Sequence, residues 1–141
     1  MNDTLVNKVQ SIERCIARAR EEYRLANGNF RSDFSRQDAA ILNITRACEQ
    51  AIDLANHTIR RAKLGVPAES GESFVLLAKA RVIPFDLAEK MKAVIGFRNV
   101  AVHEYQKLDV AIVERIITAG LDDLLSLTRC IVAFEKHGAP Q

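Results

Sequence analysis

Apolar side chains recur along this chain at alternating intervals of three and four, the spacing of amphipathic helices rather than the every-second-residue alternation of strands. From Asp3 to about Asn27 the stripe is Leu5, Val9, Ile12, Ile16, Ala19 and Tyr23, and Gly28 ends it. The other face mixes Lys8, Arg14, Arg18, Arg20 and Arg24 with Glu13, Glu21 and Glu22, the pattern of a solvated face with local ion pairs. A turn-rich connector, GNFRSDFSR, follows from Gly28 to Arg36; its Phe30 and Phe34 are expected to plug one end of a helical bundle. Basic and aromatic residues so interleaved also stack on nucleic-acid bases, which is the lesser reading here. Ser35 and Asp38 approximate a capping box for a second long helix. Its stripe is Ile41, Ile44, Cys48, Ile52, Ala55 and Ile59, running on to Gly65 and Pro67.

Ser73 to Arg81 makes at most a short helix. Pro84 or Asp86 opens the next long one, which is expected to reach Tyr105, with Leu87, Met91, Val94 and Ala101 on one apolar arc. Asp109 caps a last helix through Val110, Val113, Ile117, Leu121, Leu124, Thr128, Ile131 and Phe134 to Gly138, and Gly120 within it permits a bend or a close crossing. The fold class is therefore all-α. Residues 1–141 form a single domain, an antiparallel four-helix bundle with an additional short helix in the crossover.

Composition agrees with this. At 141 residues and 48% hydrophobic the chain can bury a core without disulfides or a structural metal, and 6% aromatic content with no Trp suits packing by Leu, Ile, Val and Ala. Cys15, Cys48 and Cys130 are odd in number and far apart, with no metal-ligand spacing, so they read as reduced thiols. A net charge of +2 is too small for wholesale capture of nucleic acid, and any RNA binding must be local. The charged N-terminal stretch is not a signal peptide and no apolar run approaches a membrane span, so a cytoplasmic location is expected.

One stretch does not read as scaffold. In Phe97-Arg98-Asn99-Val100-Ala101-Val102-His103-Glu104-Tyr105, Arg98 falls in the middle of the apolar arc. A guanidinium cannot shed its charge, so it must meet a carboxylate, a phosphate or a subunit interface. Asn99 and His103 share a neighbouring helical face, and an ideal helix carried through Tyr105 places its phenol within about 20° of Arg98. Arg, Asn, His and Tyr around one rim suit a phosphate-handling site. On the second helix Glu49, Asp53 and His57 line up at intervals of four. A metal-ligand row is the less favoured reading of these, and surface pairs with Arg46, Arg60 and Arg61 are preferred. One of the carboxylates is also a candidate partner for Arg98 across the bundle.

Arg98-Asn99-x-x-x-His103-x-Tyr105 resembles the Arg-x4-His-x-Tyr signature of HEPN-superfamily ribonucleases, specifically HepT-like toxins paired with a minimal nucleotidyltransferase antitoxin. The resemblance extends to Gln37–Arg60 and to Pro84–Tyr105 with its Gly96-Phe97-Arg98-Asn99 run, and in pattern to the whole chain. It implies a HEPN-like bundle and a metal-independent endoribonuclease with Arg98 and His103 as catalytic residues and Asn99 and Tyr105 in support. It further implies RNA as substrate, a homodimer with a composite site, no cofactor, and a cognate minimal nucleotidyltransferase as partner. Tyr105 is then either the acceptor of AMP that silences the enzyme or a side chain that stacks on a base or caps the bundle. The alternative function is a non-catalytic HEPN-like adaptor that binds a nucleotide or a partner nucleotidyltransferase.

Overall fold

A computed structural model describes residues 2–138, apart from the Ser70 side chain. Helix α1 spans Asp3–Leu25, and Asn2 is its N-cap, the side-chain oxygen accepting from the Leu5 N–H at 2.9 Å. Asn27 and Gly28, with φ of 50° and 87°, take the chain out of the helix through the left-handed region. A 3-10 turn at Phe30–Ser32 leads into α2, Phe34–Ala62. The cap of α2 is Asp33, whose carboxylate accepts from the Arg36 N–H at 3.1 Å, and not the expected Ser35–Asp38 box. Ser35 is already inside the helix, whereas Asp33 still has the non-helical backbone that lets a side chain fold back on the first turn.

Helix α3, Ser70–Lys79, occupies the crossover, and α4 spans Phe85–His103 behind Pro84. Helix α5, Val110–Arg115, passes through one π-helical turn at Ile116–Gly120 into α6, Leu121–His137, so the three make one long element. Where Gly120 permits a bend or a close crossing the chain makes this π turn, and a Cβ there would lie 3.3 Å from the Ile116 Cδ1, a crowding that the missing side chain relieves. Four long elements with α3 between the second and third give the expected bundle.

Its centre is α2, which buries an arc of about half its circumference. Small residues on it, Ala40, Ala47, Ala51 and Ala55, let neighbours approach closely, while Ile44, Leu54 and Ile59 fill the space between. Leu5, Ile12 and Ile16 of α1, Phe74 and Leu77 of α3, Met91 of α4, and Leu121 and Leu124 of α6 close the core. Burial of each large side chain is worth about 1.5–3 kcal/mol before conformational entropy is set against it. Phe30 plugs the bundle end as expected, edge-on to Tyr23, but Phe34 does not and is 73% exposed, because it begins α2 on the outer side.

Charge fixes the corners. The buried Glu22 carboxylate accepts from Arg18 at 2.9 Å and from Arg36 at 2.7 Å, joining α1 to α2, and Arg20–Asp122 and Arg61–Glu135 tie α6 to its neighbours. Cys48 is buried, Cys15 and Cys130 are half-buried, and all three are free thiols. Among the described residues no helix is long and apolar enough to cross a membrane.

Candidate functional site

Helices α2 and α4 run antiparallel, and the polar rim lies along their seam. On an ideal helix Asp38, Leu42, Thr45 and Glu49 fall within about 60° of one another, a single ridge about 16 Å long. Glu49, at one end of this ridge, meets Arg98; Asp38, at the other, accepts a hydrogen bond from the Tyr105 hydroxyl. Leu42 on this ridge and Val102 on α4 leave exposed apolar surface, 49% and 46% accessible.

Arg98 is half-withdrawn from solvent, its side chain 28% exposed. Its Nε lies 3.6 Å from Glu49 Oε1, close enough for attraction but too far for a hydrogen bond, and this buried Nε–H has no hydrogen-bond partner among the described residues. Nη1 donates to Asn99 Oδ1 at 3.0 Å. Arg98 and His103 are about 140° apart around an ideal helix, with Asn99 between them. The Arg98–Asn99 bond therefore draws the guanidinium round towards the face that carries His103. Beneath it Cys48 packs against the Val94 carbonyl, its thiol pushed up to about 12 by burial, so it is inert filler and not a nucleophile.

The chain leaves the helical conformation at Glu104, with φ −141° and ψ 48°, immediately after the exposed His103. Tyr105 therefore lies outside α4, in a 3-10 turn at Tyr105–Lys107, which corrects the expectation that the helix carries it round above Arg98. That turn swings the phenol to Asp38, near the start of α2 and about three turns from Glu49. The phenol pKa is pushed up to about 12, first by burial, then by the hydrogen bond to Asp38 and the charge of that carboxylate.

The remaining row does not converge. Asp53 pairs with Lys8 at 3.8 Å, Glu49 with Arg98, and His57 Nε2 lies 3.3 Å from the Asn2 side-chain amide. Arg61 goes to Glu135 instead, so the expected pairs with Arg46, Arg60 and Arg61 are replaced by contacts to other helices. Among the described residues no three His, Cys, Asp or Glu side chains gather as a metal site. The row offered Glu49 and Asp53 alike as partners for Arg98, and the structure selects Glu49. Asp38 was not legible, because its pairing depends on where α4 stops.

Fold and site together define a HEPN-class helical domain. A family model described as Ribonuclease HepT-like matches residues 12–131, and the chain belongs to this family. It is 44% identical over 124 residues to the mRNA nuclease HepT of Shewanella oneidensis, covering 87% of this chain and 92% of that one. It is 33% identical over 61 residues to the tRNA nuclease HepT of Aphanizomenon flos-aquae, covering 43% of this chain and 42% of that one. A solved structure of a tri-AMPylated S. oneidensis HEPN toxin in complex with MNT antitoxin aligns with a TM-score of 0.88 at 41% identity, over 94% of this chain and 99% of that chain.

Proposed function

We propose that this protein is the toxin of a toxin–antitoxin pair and cleaves RNA by a metal-independent reaction at the Arg98–His103 rim of a homodimer. The ribose 2′-hydroxyl attacks the adjacent phosphorus, the bond to the 5′-oxygen breaks, and a 2′,3′-cyclic phosphate and a 5′-hydroxyl result. His103 moves protons, because imidazole is the side chain suited to both directions near neutral pH. Arg98 neutralises the phosphoryl oxygens as charge grows on them, and Asn99 holds the guanidinium on the side facing His103.

The observation that carries this reading is the state of Arg98. It is tethered to Glu49 and Asn99 but keeps an unbonded, buried Nε–H, which is how an anion-binding arginine stands before its anion arrives. One chain offers a single histidine on this rim, whereas transphosphorylation needs both a base and an acid. The exposed Val102, one turn along α4 from Arg98, is suited to bury against a second copy that brings its own Arg98 and His103. The cognate partner is a minimal nucleotidyltransferase antitoxin, and Tyr105 is the hydroxyl to which it transfers AMP. The membership of the family and the likeness to a tri-AMPylated toxin bound to MNT antitoxin support this part of the reading.

Cleavage of single-stranded RNA by the unmodified protein, with and without EDTA, tests the proposal. Cyclic-phosphate products undiminished by the chelator are expected. Activity that disappears with EDTA and returns with Mg²⁺ assigns the chemistry to a metal and removes Arg98 and His103 from their roles.

A further inference from the structure

We infer that Asp38 is the proton acceptor for the AMP transfer to Tyr105, so that the toxin brings to its own silencing a catalytic residue as well as the hydroxyl acceptor. This rests on the reading of Tyr105 as the modified residue. The carboxylate of Asp38 accepts directly from the Tyr105 hydroxyl, the atom that must become the nucleophile. Asp38 is exposed near the start of α2, and no Lys or Arg among the described residues forms an ion pair with it. No neighbouring cation competes with the phenol for its oxygens.

A base is needed here. With the phenol pKa pushed up to about 12, only about one molecule in 10⁵ carries a phenolate at pH 7, so the reacting species is the neutral phenol. The resting hydrogen bond opposes ionisation, but the balance reverses during reaction, because the phenolic oxygen becomes far more acidic as its bond to phosphorus forms. In the step, Tyr105 Oη attacks the α-phosphorus of ATP and the Oη–P bond forms. The bond from that phosphorus to the bridging oxygen breaks, pyrophosphate leaves with the electron pair, and the phenol proton passes to Asp38. The esterified oxygen then has no hydrogen to donate, and its phosphodiester charge repels the Asp38 carboxylate. The modified side chain is released from Asp38 towards the cationic end of the seam at Arg98.

The experiment is single-turnover and steady-state AMP transfer from radiolabelled ATP by the cognate nucleotidyltransferase, with the parent, Y105F, D38N and D38E as acceptors. Asparagine keeps a hydrogen-bond acceptor beside the phenol but cannot take its proton. D38N is expected to lower kcat about 10²-fold with little change in KM. Its residual rate should rise about tenfold per pH unit between pH 7 and 9, where the parent is flat. D38E should recover to within about tenfold of the parent, and D38N should melt as cooperatively as the parent with the same helical circular-dichroism spectrum, which shows an intact fold. Y105F inert with D38N labelled at the parent's rate and pH profile overturns the role of Asp38 alone, as does a D38N defect confined to KM. Y105F labelled as readily as the parent overturns the assignment of Tyr105, and Asp38's role falls with it.

Discussion

Arg98 Nε and Glu49 Oε1 stand 3.6 Å apart across the α2–α4 seam, paired in charge but not hydrogen-bonded. Two opposed requirements meet in this distance. A guanidinium in the middle of an apolar arc needs a counter-charge to stay folded in, yet one fully engaged by a carboxylate is unavailable to phosphate. Both partners keep water contact, so the pair contributes no more than about 1 kcal/mol to the fold, and Glu49 can be displaced by a bound anion at little cost.

Arg98→Ala is accordingly expected to leave the thermal midpoint close to the parent's while lowering kcat/KM for RNA cleavage by about 10²–10³-fold, or about 3–4 kcal/mol of transition-state stabilisation. Glu49→Gln should act in the opposite sense, lowering KM because the guanidinium is released to the phosphate. Steady-state cleavage beside a thermal melt of each variant checks both. Arg98→Ala that cleaves normally, or that unfolds, removes the phosphate-binding role.

Replacing His103 should cost rate without costing the fold. Exposed at the last turn of α4, it bears little of the core's packing, so His103→Gln should fold as the parent does. Its kcat/KM should fall by about 10²–10⁴-fold. A rate unchanged by the substitution would assign proton transfer to another group.

The apolar stripes carried the fold because each helix repeats one signal many times: in α2 all six stripe residues from Ile41 to Ile59 are buried, as are Leu87, Met91, Val94 and Ala101 in α4. Single positions were less legible. Asp33 displaced the Ser35–Asp38 cap, and Phe34 points to solvent, because helix starts depend on one residue's backbone. The site divided in the same way. Arg98, Asn99 and His103 share a helix, so spacing alone relates them, and the need of Arg98 for a counter-charge narrows its partner to Glu49 or Asp53 without choosing between them. The Tyr105–Asp38 contact depends on the backbone break at Glu104, and no periodicity encodes that.

A composite site can be tested by mixing parent and His103→Ala subunits. If the two His103 side chains of a dimer serve one phosphate as base and acid, a co-expressed hybrid with a single His103 should cleave about as slowly as the His103→Ala homodimer. Light scattering at micromolar concentration should give twice the mass of the 15.7 kDa chain. Hybrids that keep a substantial part of the parent's cleavage would place each site within one subunit, and an active monomer would dispense with the dimer altogether.

The last prediction concerns stability and lies away from the rim. His57 packs beside the N-cap of α1, its Nε2 3.3 Å from the Asn2 side-chain amide, an arrangement in which the neutral ring accepts. Its pKa is lowered from 6.5, first by burial and then by the charges of Arg61 and Arg60. With the folded pKa below the unfolded one, the unfolded chain binds the proton more readily. The stability associated with neutral His57 is therefore fully present above pH 6.5 and is lost as the pH falls through the folded value. His57→Gln keeps an acceptor for Asn2 but has nothing to titrate. Thermal melts at pH 7.5 and 5.5 should show the parent losing more than the variant, and the difference should survive 0.5 M salt in part, because burial is the leading cause. Parallel losses in the two proteins would mean that His57 takes up its proton equally in the folded and unfolded chain.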